Sequence, residues 1–410
     1  MLLKRVVITG MGVISPFGRG IESLMAALRA GRSGVVQVPE LAEIIGMRTR
    51  VAALATGVDP MEIPRKFRRS MSNMSIYATL ACQDAVAMAG ITAAQLGSGR
   101  LGVSIGSTTG SPQTMQEFFR DFGVDNSLER MKSTLFFHIM NHSCASNVAQ
   151  ALGVTGRILA PAAACSTSCH AVGYAAEMIG IGKQDFMLCG GADEFHPLTS
   201  ATFDIMNAAS TAFNTAPTRT PRPFDRDRDG IVCGEGSGIL LLESLDSAVG
   251  RGACILAEIT GFATNSDPGS IANPDAASIG ECMRQALDDA QVMPEQIDYV
   301  NAHATATVQG DIAECEAISC VFGRSTPTSS LKGHLGHAMA ASGTLELAAC
   351  IEMLRQGVLI PTLNLENIDP LCADIEHVQG ITSRPLEMVV KNNFALGGVN
   401  SSIILRRYQQ

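Results

Sequence analysis

Short β-branched segments alternate with helix-patterned ones along most of the 410-residue chain, which confines it to an α/β fold with mixed sheets. Val6-Val7-Ile8-Thr9-Gly10-Met11-Gly12 reads as a first buried strand and turn. Its weaker reading, a signal peptide after the basic pair Lys4-Arg5, suits the β-branched pattern less well. Strands are expected at Leu101–Gly106, Arg157–Ala160, Asp185–Cys189 (ending at Gly190-Gly191), Gly238–Leu242, Ile297–Val300 and Ser401–Leu405. Helices are expected at Ser168–Ile181, Ala276–Ala290 and Ala338–Leu354. A second half begins near Arg251, where Leu256–Gly261 echoes the opening strand; both close with Ile-Thr-Gly. Two three-residue matches are as compatible with unrelated strand starts as with an internal repeat.

Composition excludes several function classes. Apolar residues make up 46% of the chain, enough for a large core. A net charge of −9 argues against nucleic acid as a partner, and aromatic residues at 5%, with no Trp, argue against stacking on bases. No apolar run reaches transmembrane length, so no membrane partner is expected. Twelve cysteines without framework spacing fit reduced thiols and a cytoplasmic protein.

Dinucleotide binding is set aside at two places. After Gly10-Met11-Gly12 the third glycine of the fingerprint is Ser15, and Gly234-Glu235-Gly236-Ser237-Gly238 leads into a strand. Metal binding is also set aside: His334 with His337, and His138 with His142, lack a further Cys or carboxylate in a ligand pattern.

Four segments carry chemistry. In Ala162-Ala163-Ala164-Cys165-Ser166-Thr167-Ser168-Cys169 a small-residue strand end runs into a helix at Cys165. There the dipole and unpaired N–H groups favour a thiolate, while Cys169 reads as a core residue. His303 follows a strand and is able to polarise a carbonyl; Thr305 and Thr307 alternate with Ala306 and are expected to face one groove. Lys332-Gly333-His334-Leu335-Gly336-His337 gathers a lysine and two histidines before a helix. Phe394-Ala395-Leu396-Gly397-Gly398 is a turn whose glycines permit close backbone approach.

In this order, with Arg222-Pro223-Phe224-Asp225 and Gly234-Glu235-Gly236, these segments resemble the elongating β-ketoacyl-acyl-carrier-protein synthases nearly end to end. The resemblance implies the thiolase fold: two pseudo-repeated α/β halves in a five-layer αβαβα arrangement, residues 1–250 carrying Cys165 and residues 251–410 carrying His303 and His337. It implies a decarboxylative Claisen condensation in fatty acid or related acyl-chain elongation. Cys165 would hold the acyl thioester, and its N–H with that of Leu396 would form an oxyanion hole. His303 and His337 would stabilise the malonyl enolate, with Lys332 and Glu314 orienting the pair.

Thr305 and Thr307 would bind the phosphopantetheine arm, and Phe394 and Leu396 would contact substrate. The partner would be an acyl carrier protein, docked through Lys66, Arg69 and Lys132, with Arg130 in the second basic cluster. No bound cofactor or metal is implied, since the arm arrives on the carrier. A homodimer is expected. The alternatives are a polyketide or aryl-polyene ketosynthase paired with a chain-length factor, or a non-catalytic partner subunit, which the presence of Cys165 disfavours. A thiolase, and the synthases that start chains from CoA substrates, fit the His303–His337 pair less well. The family's terminal loop usually reads Phe-Gly-Phe-Gly-Gly-Thr-Asn. Here Ala395 replaces its first Gly and Leu396 its second Phe, so a smaller aliphatic gate is expected.

Overall fold

The computed structural model describes residues 3–124, 126–129 and 131–409. Eleven strands run edge to edge through both halves of the chain. In chain order they are β1 (Val6–Ser15), β2 (Leu101–Gly106), β3 (Ile158–Leu159), β4 (Phe186–Asp193), β5 (Gly236–Ser244), β6 (Ala257–Ser266), β7 (Tyr299–Asn301), β8 (Pro327–Ser329), β9 (Glu376–His377), β10 (Met388–Ala395) and β11 (Val399–Arg406). Their spatial order is β9-β8-β7-β10-β11-β6-β1-β5-β4-β2-β3, and the short strand Gly18–Arg19 pairs with β1.

The order contains a repeat. From β1 outward the first half runs first, last, fourth, second and third strand. From β6 outward, leaving aside the added edge strand β9, the second half runs β6-β11-β10-β7-β8, the same permutation. The echoed segments are where the halves meet: Val6, Val7 and Ile8 pair antiparallel with Ile259, Glu258 and Ala257. Both Ile-Thr-Gly copies also carry a break in register, between Ile8 and Gly10 in β1 and opposite Ile259 and Gly261 in β6. A bulge bends its strand locally, and here the same bend recurs in each half.

Alternation along the strands divides their side chains between cores. Met187 and Cys189 of β4, Leu240 and Leu242 of β5, and Ile403 and Leu405 of β11 face a shared inner core. That core holds α2 (Thr167–Gly180) and α5 (Ser342–Gln356). Residues Ser342 to Leu354 of α5 are buried without interruption, as expected of a helix between two sheets. Outside, α1 (Asn73–Ala89) packs on the first half through Leu188, Ile239 and Leu241, and α3 (Ala276–Ala290) with α4 (Val308–Phe322) packs on the second through Val390 and Ile404. The result is five layers, helix, sheet, helix, sheet, helix: the thiolase fold.

Leu101–Gly106 and Ala276–Ala290 fall where the sequence places them. Arg157–Ala160 shrinks to two paired residues at the sheet edge. The Gly190-Gly191 pair does not end its strand; β4 continues to Asp193. A Cβ on Gly191 would lie 2.2 Å from the Ala340 carbonyl oxygen, so glycine serves close approach here rather than a turn. The expected helix from Ala338 starts as a 3₁₀ turn, Met339–Ala341, before α5. All twelve cysteines are free, and only Cys254 and Cys320 are exposed. Among the described residues no helix is long and apolar enough to cross a membrane.

Candidate active site

The inner layer brings Cys165, His303 and His337 together from distant parts of the chain. Cys165 lies in a 3₁₀ turn, Ala164–Ser166, just ahead of α2. Ala164 takes a left-handed φ of 45°, and this backward bend presents the following thiol. His303 follows β7, and His337 follows a helical turn, Lys332–Leu335. The sulfur and one ring nitrogen of each histidine lie within 4.8 Å of one another. The two imidazoles meet edge to face at 5.3 Å between centroids, and Phe394 stands 6.0 Å from His303.

Asn393 sets the tautomer of His303. Its Nδ2 donates to the Cys165 carbonyl at 2.9 Å, which fixes the amide orientation, and the same Nδ2 lies 3.4 Å from His303 Nδ1. Nδ1 is then the acceptor, and His303 carries its proton on Nε2. Both ring nitrogens of His337 are buried without a hydrogen-bond partner among the described residues, free to serve a substrate. Glu314 accepts the backbone N–H groups of His303 and Ala304 at 2.8 and 2.7 Å and so clamps the turn after β7.

The electrostatics favour neutral groups at rest. Burial pushes the Cys165 thiol up to about 11, against the Lys332 ammonium and the backbone N–H groups of Leu396 and Cys165 itself, which favour the thiolate. Burial, with the Lys332 and Lys391 ammoniums, holds both imidazoles well below their ordinary range. By donor type a thiol and two imidazoles would suit a soft dication, but the two ammoniums make this corner unfavourable for one.

A cavity of about 340 Å³ opens onto Cys165, His303 and His337 and is also lined by Thr305, Thr307, Phe394 and Leu396. The two threonine hydroxyls are 3.1 Å apart. They share a side of the cavity because Ala306 sits at φ 69° and turns the chain, not because the segment is extended. The Leu396 turn is held from across the cavity mouth: Gly397 N–H donates to the Ile271 carbonyl at 2.8 Å, and Asp267 N–H to that of Gly398 at 2.7 Å. The sequence reading did not single out this 267–275 loop.

Lys332 and Glu314 both lie near the pair but do not bond each other. The Lys332 Nζ–Glu346 Oε1 distance is 2.7 Å, and Lys391 takes the other oxygen of Glu346. Glu346, Lys391 and Asn393 are the site residues the sequence reading left without a role. His334 does not line the cavity; its ring nitrogens face the carbonyls of Arg32 and Pro361. Lys66, Arg69 and Lys132 are all exposed, the first two on and just after the short helix Arg65–Arg68. Arg130 lies outside the described residues.

A thiol backed by two histidines at the centre of a thiolase fold defines a thioester-condensing enzyme. Comparison with known proteins agrees. Residues 3–248 match the beta-ketoacyl synthase N-terminal domain, and residues 256–366 match the C-terminal domain. The 3-oxoacyl-[acyl-carrier-protein] synthase 1 of Escherichia coli strain K12 is 35% identical over 412 aligned residues, covering 99% of each chain. A crystal structure of a beta-ketoacyl synthase from Burkholderia phymatum superposes with a TM-score of 0.96 at 42% identity, covering 99% of this chain and 100% of that one. The ishigamide ketosynthase/chain length factor superposes at 0.92 and 33% identity, again over 99% and 100%. The chain belongs to the beta-ketoacyl synthase family. It is an acyltransferase that joins an acyl thioester to a malonyl thioester with loss of CO₂.

Proposed function

We propose that Cys165 is the nucleophile of this condensation and that His303 and His337 are its enolate-stabilising pair. One observation carries the reading: the sulfur and the two imidazoles converge at one cavity, with the N–H groups of Leu396 and Cys165 directed at the sulfur. In the first half-reaction the thiol proton passes to a neutral imidazole and sulfur attacks the incoming thioester carbonyl. The tetrahedral oxyanion rests on the two N–H groups, and the carrier thiol leaves with a proton. In the second, malonyl thioester binds with its carbonyl oxygen at His303 Nε2–H and His337. The C–CO₂ bond breaks and its electron pair forms the enolate. The enolate carbon then attacks the acyl carbonyl on Cys165, a C–C bond forms, and the C–S bond breaks to return the thiolate. Neutral N–H donors suit the enolate because its charge develops only in the transition state.

The carrier is an acyl carrier protein whose phosphopantetheine arm enters past Thr305 and Thr307, so the enzyme needs no organic cofactor of its own. Exposed Lys66, Arg69 and Lys132 form its dock. The burial of a His138 ring nitrogen against the backbone of Arg69 brings the two basic segments side by side. The chain divides near Arg251 into two thiolase-like halves, residues 1–250 and 251–410, as the repeated strand order suggests. It works in the cytoplasm as a dimer; β3 ends the sheet with Ile158 exposed, an edge open to a second subunit. The likeness to the ishigamide ketosynthase/chain length factor favours one second reading, a heterodimer in specialised acyl-chain synthesis.

Intact-protein mass after incubation with a panel of acyl-carrier substrates tests these roles, followed by malonyl-carrier. The expected result is an acyl adduct that is absent from Cys165→Ala and is discharged as β-ketoacyl-carrier. No adduct across the panel would remove Cys165 from the nucleophile role in the isolated chain.

A further inference from the structure

Lys391 is fully buried on the inner face of β10, two residues before Asn393 and two after Val389, where packing alone would place an apolar side chain. Its ammonium lies 2.5 Å from Glu346 Oε2 and donates to the Asn392 carbonyl at 2.7 Å. Lys332 holds the other oxygen of Glu346. Glu314 accepts a backbone N–H on each oxygen, which together with the Lys391 and Lys332 ammoniums favours its carboxylate form against the burial that pushes it up. Glu346 therefore holds both ammoniums, and Glu314 lies within their electrostatic reach. The condensation steps turn on Cys165, His303 and His337, Glu314 clamps the turn at His303, and the reason for a second buried ammonium at Glu346 is left open.

We propose that Lys391 is a positioning residue of the condensing site: it completes a neutral set with Glu314, Glu346 and Lys332, and thereby keeps His303 and His337 uncharged. This rests on the roles assigned to the two histidines above. Without Lys391 the set carries one excess negative charge in a water-poor layer, and an imidazole beside it takes up a proton. A protonated imidazole no longer accepts the Cys165 proton, so acylation slows on the acid side. Burying two ammoniums on one carboxylate is costly and is rarely retained for stability alone. The other titratable groups round the imidazoles are Cys165 in the 3₁₀ turn ahead of α2, Cys169 in the first turn of α2, Asp193 ending β4, and Cys233, whose backbone bridges that of His337. None of them supplies a second positive charge.

The test is a pH titration of the His303 and His337 ring signals by NMR in ¹³C-histidine-labelled, full-length protein. Assignment uses His303→Gln and His337→Gln. Lys391→Met should move both midpoints up by about one pH unit or more and lower kcat on the acid side with the KM for malonyl-carrier unchanged. Lys391→Met/Glu346→Gln, again charge-balanced, should bring the midpoints back to the parent. If Lys391→Met does not fold, Glu346→Gln compared with the double variant isolates the same charge, and the double variant should titrate higher. Midpoints indifferent to Lys391 in a folded variant, or a double variant that stays with Lys391→Met, would reduce Lys391 to a packing residue. The ring signals do not depend on turnover, so a parent that fails to condense would count against the assigned roles and leave this test standing.

Discussion

Glu314 Oε1 accepts the backbone N–H of His303 at 2.8 Å, so the carboxylate steers the imidazole through its main chain and not through its ring. The second oxygen does the same for Ala304. Glu314→Gln keeps the size but turns an amide nitrogen toward one of these donors, leaving it unsatisfied in the core. The expected result is a kcat on the order of 10²-fold lower, since small displacements at reacting groups are costly, with the KM for malonyl-carrier little changed. Steady-state kinetics of β-ketoacyl-carrier formation decide it. A KM rise with kcat intact would assign Glu314 to binding.

The resting thiol gives a pH prediction. With Cys165 pushed up to about 11 by burial and both imidazoles neutral, the thiolate fraction rises about tenfold per pH unit across the neutral range. Alkylation by iodoacetamide should therefore keep accelerating from pH 7 to 10. A thiolate paired with a charged histidine would instead reach a plateau near neutrality. Lys332→Met removes a cation that favours the thiolate, so its alkylation should be slower at every pH in that range. Peptide mass mapping confirms that the label sits on Cys165.

The proposed carrier dock is made of surface charge. Arg69 is exposed, on the same face as Lys66. Arg69→Glu should raise the KM for acyl-carrier several-fold, leave kcat unchanged, and flatten the dependence of kcat/KM on salt, because long-range attraction is what salt screens. Substrates reduced to acyl-pantetheine should not distinguish the variant from the parent. An unchanged KM for acyl-carrier would take Arg69 out of the dock.

What could be read in advance follows from how local each signal is. Cys165, His303 and His337 stand out because their neighbours, small residues, a strand end and a glycine turn, are adjacent in sequence. Glu346 and Lys391 do not. One lies in the middle of a helix and the other in a strand, and only the stacking of β10 on α5 makes them partners. Asn393 directly precedes the Phe394 turn, but its task depends on a carbonyl 228 positions away. Gly190-Gly191 looked like a strand end because glycine usually marks turns. The carbonyl Gly191 clears belongs to the 3₁₀ turn Met339–Ala341, which the sequence does not place nearby. The Ile-Thr-Gly echo was too short to establish a repeat until the matching bulges in β1 and β6 gave it a geometric meaning.

Those bulges make a last prediction about how the halves share stability. Gly10 of β1 faces α1, where an added Cβ would lie 2.1 Å from the Ala85 carbonyl oxygen. Gly261 of β6 faces α3, with the Ala286 carbonyl oxygen at 2.4 Å. The two glycines occupy matching places in the repeat and serve the same need, a helix backbone lying close on the sheet. Alanine at either position must push a helix away, since no flexible side-chain end can yield. Each substitution should cost about 1–3 kcal/mol. Because α2 and α5 pack against both sheets in one core, neither half has an inner layer of its own to fall back on. Gly10→Ala and Gly261→Ala should therefore each shift one common unfolding transition downward, followed by calorimetry and by far-UV circular dichroism. Two separated transitions in either variant would mean that the halves hold together independently, and that the inner helices do not couple them.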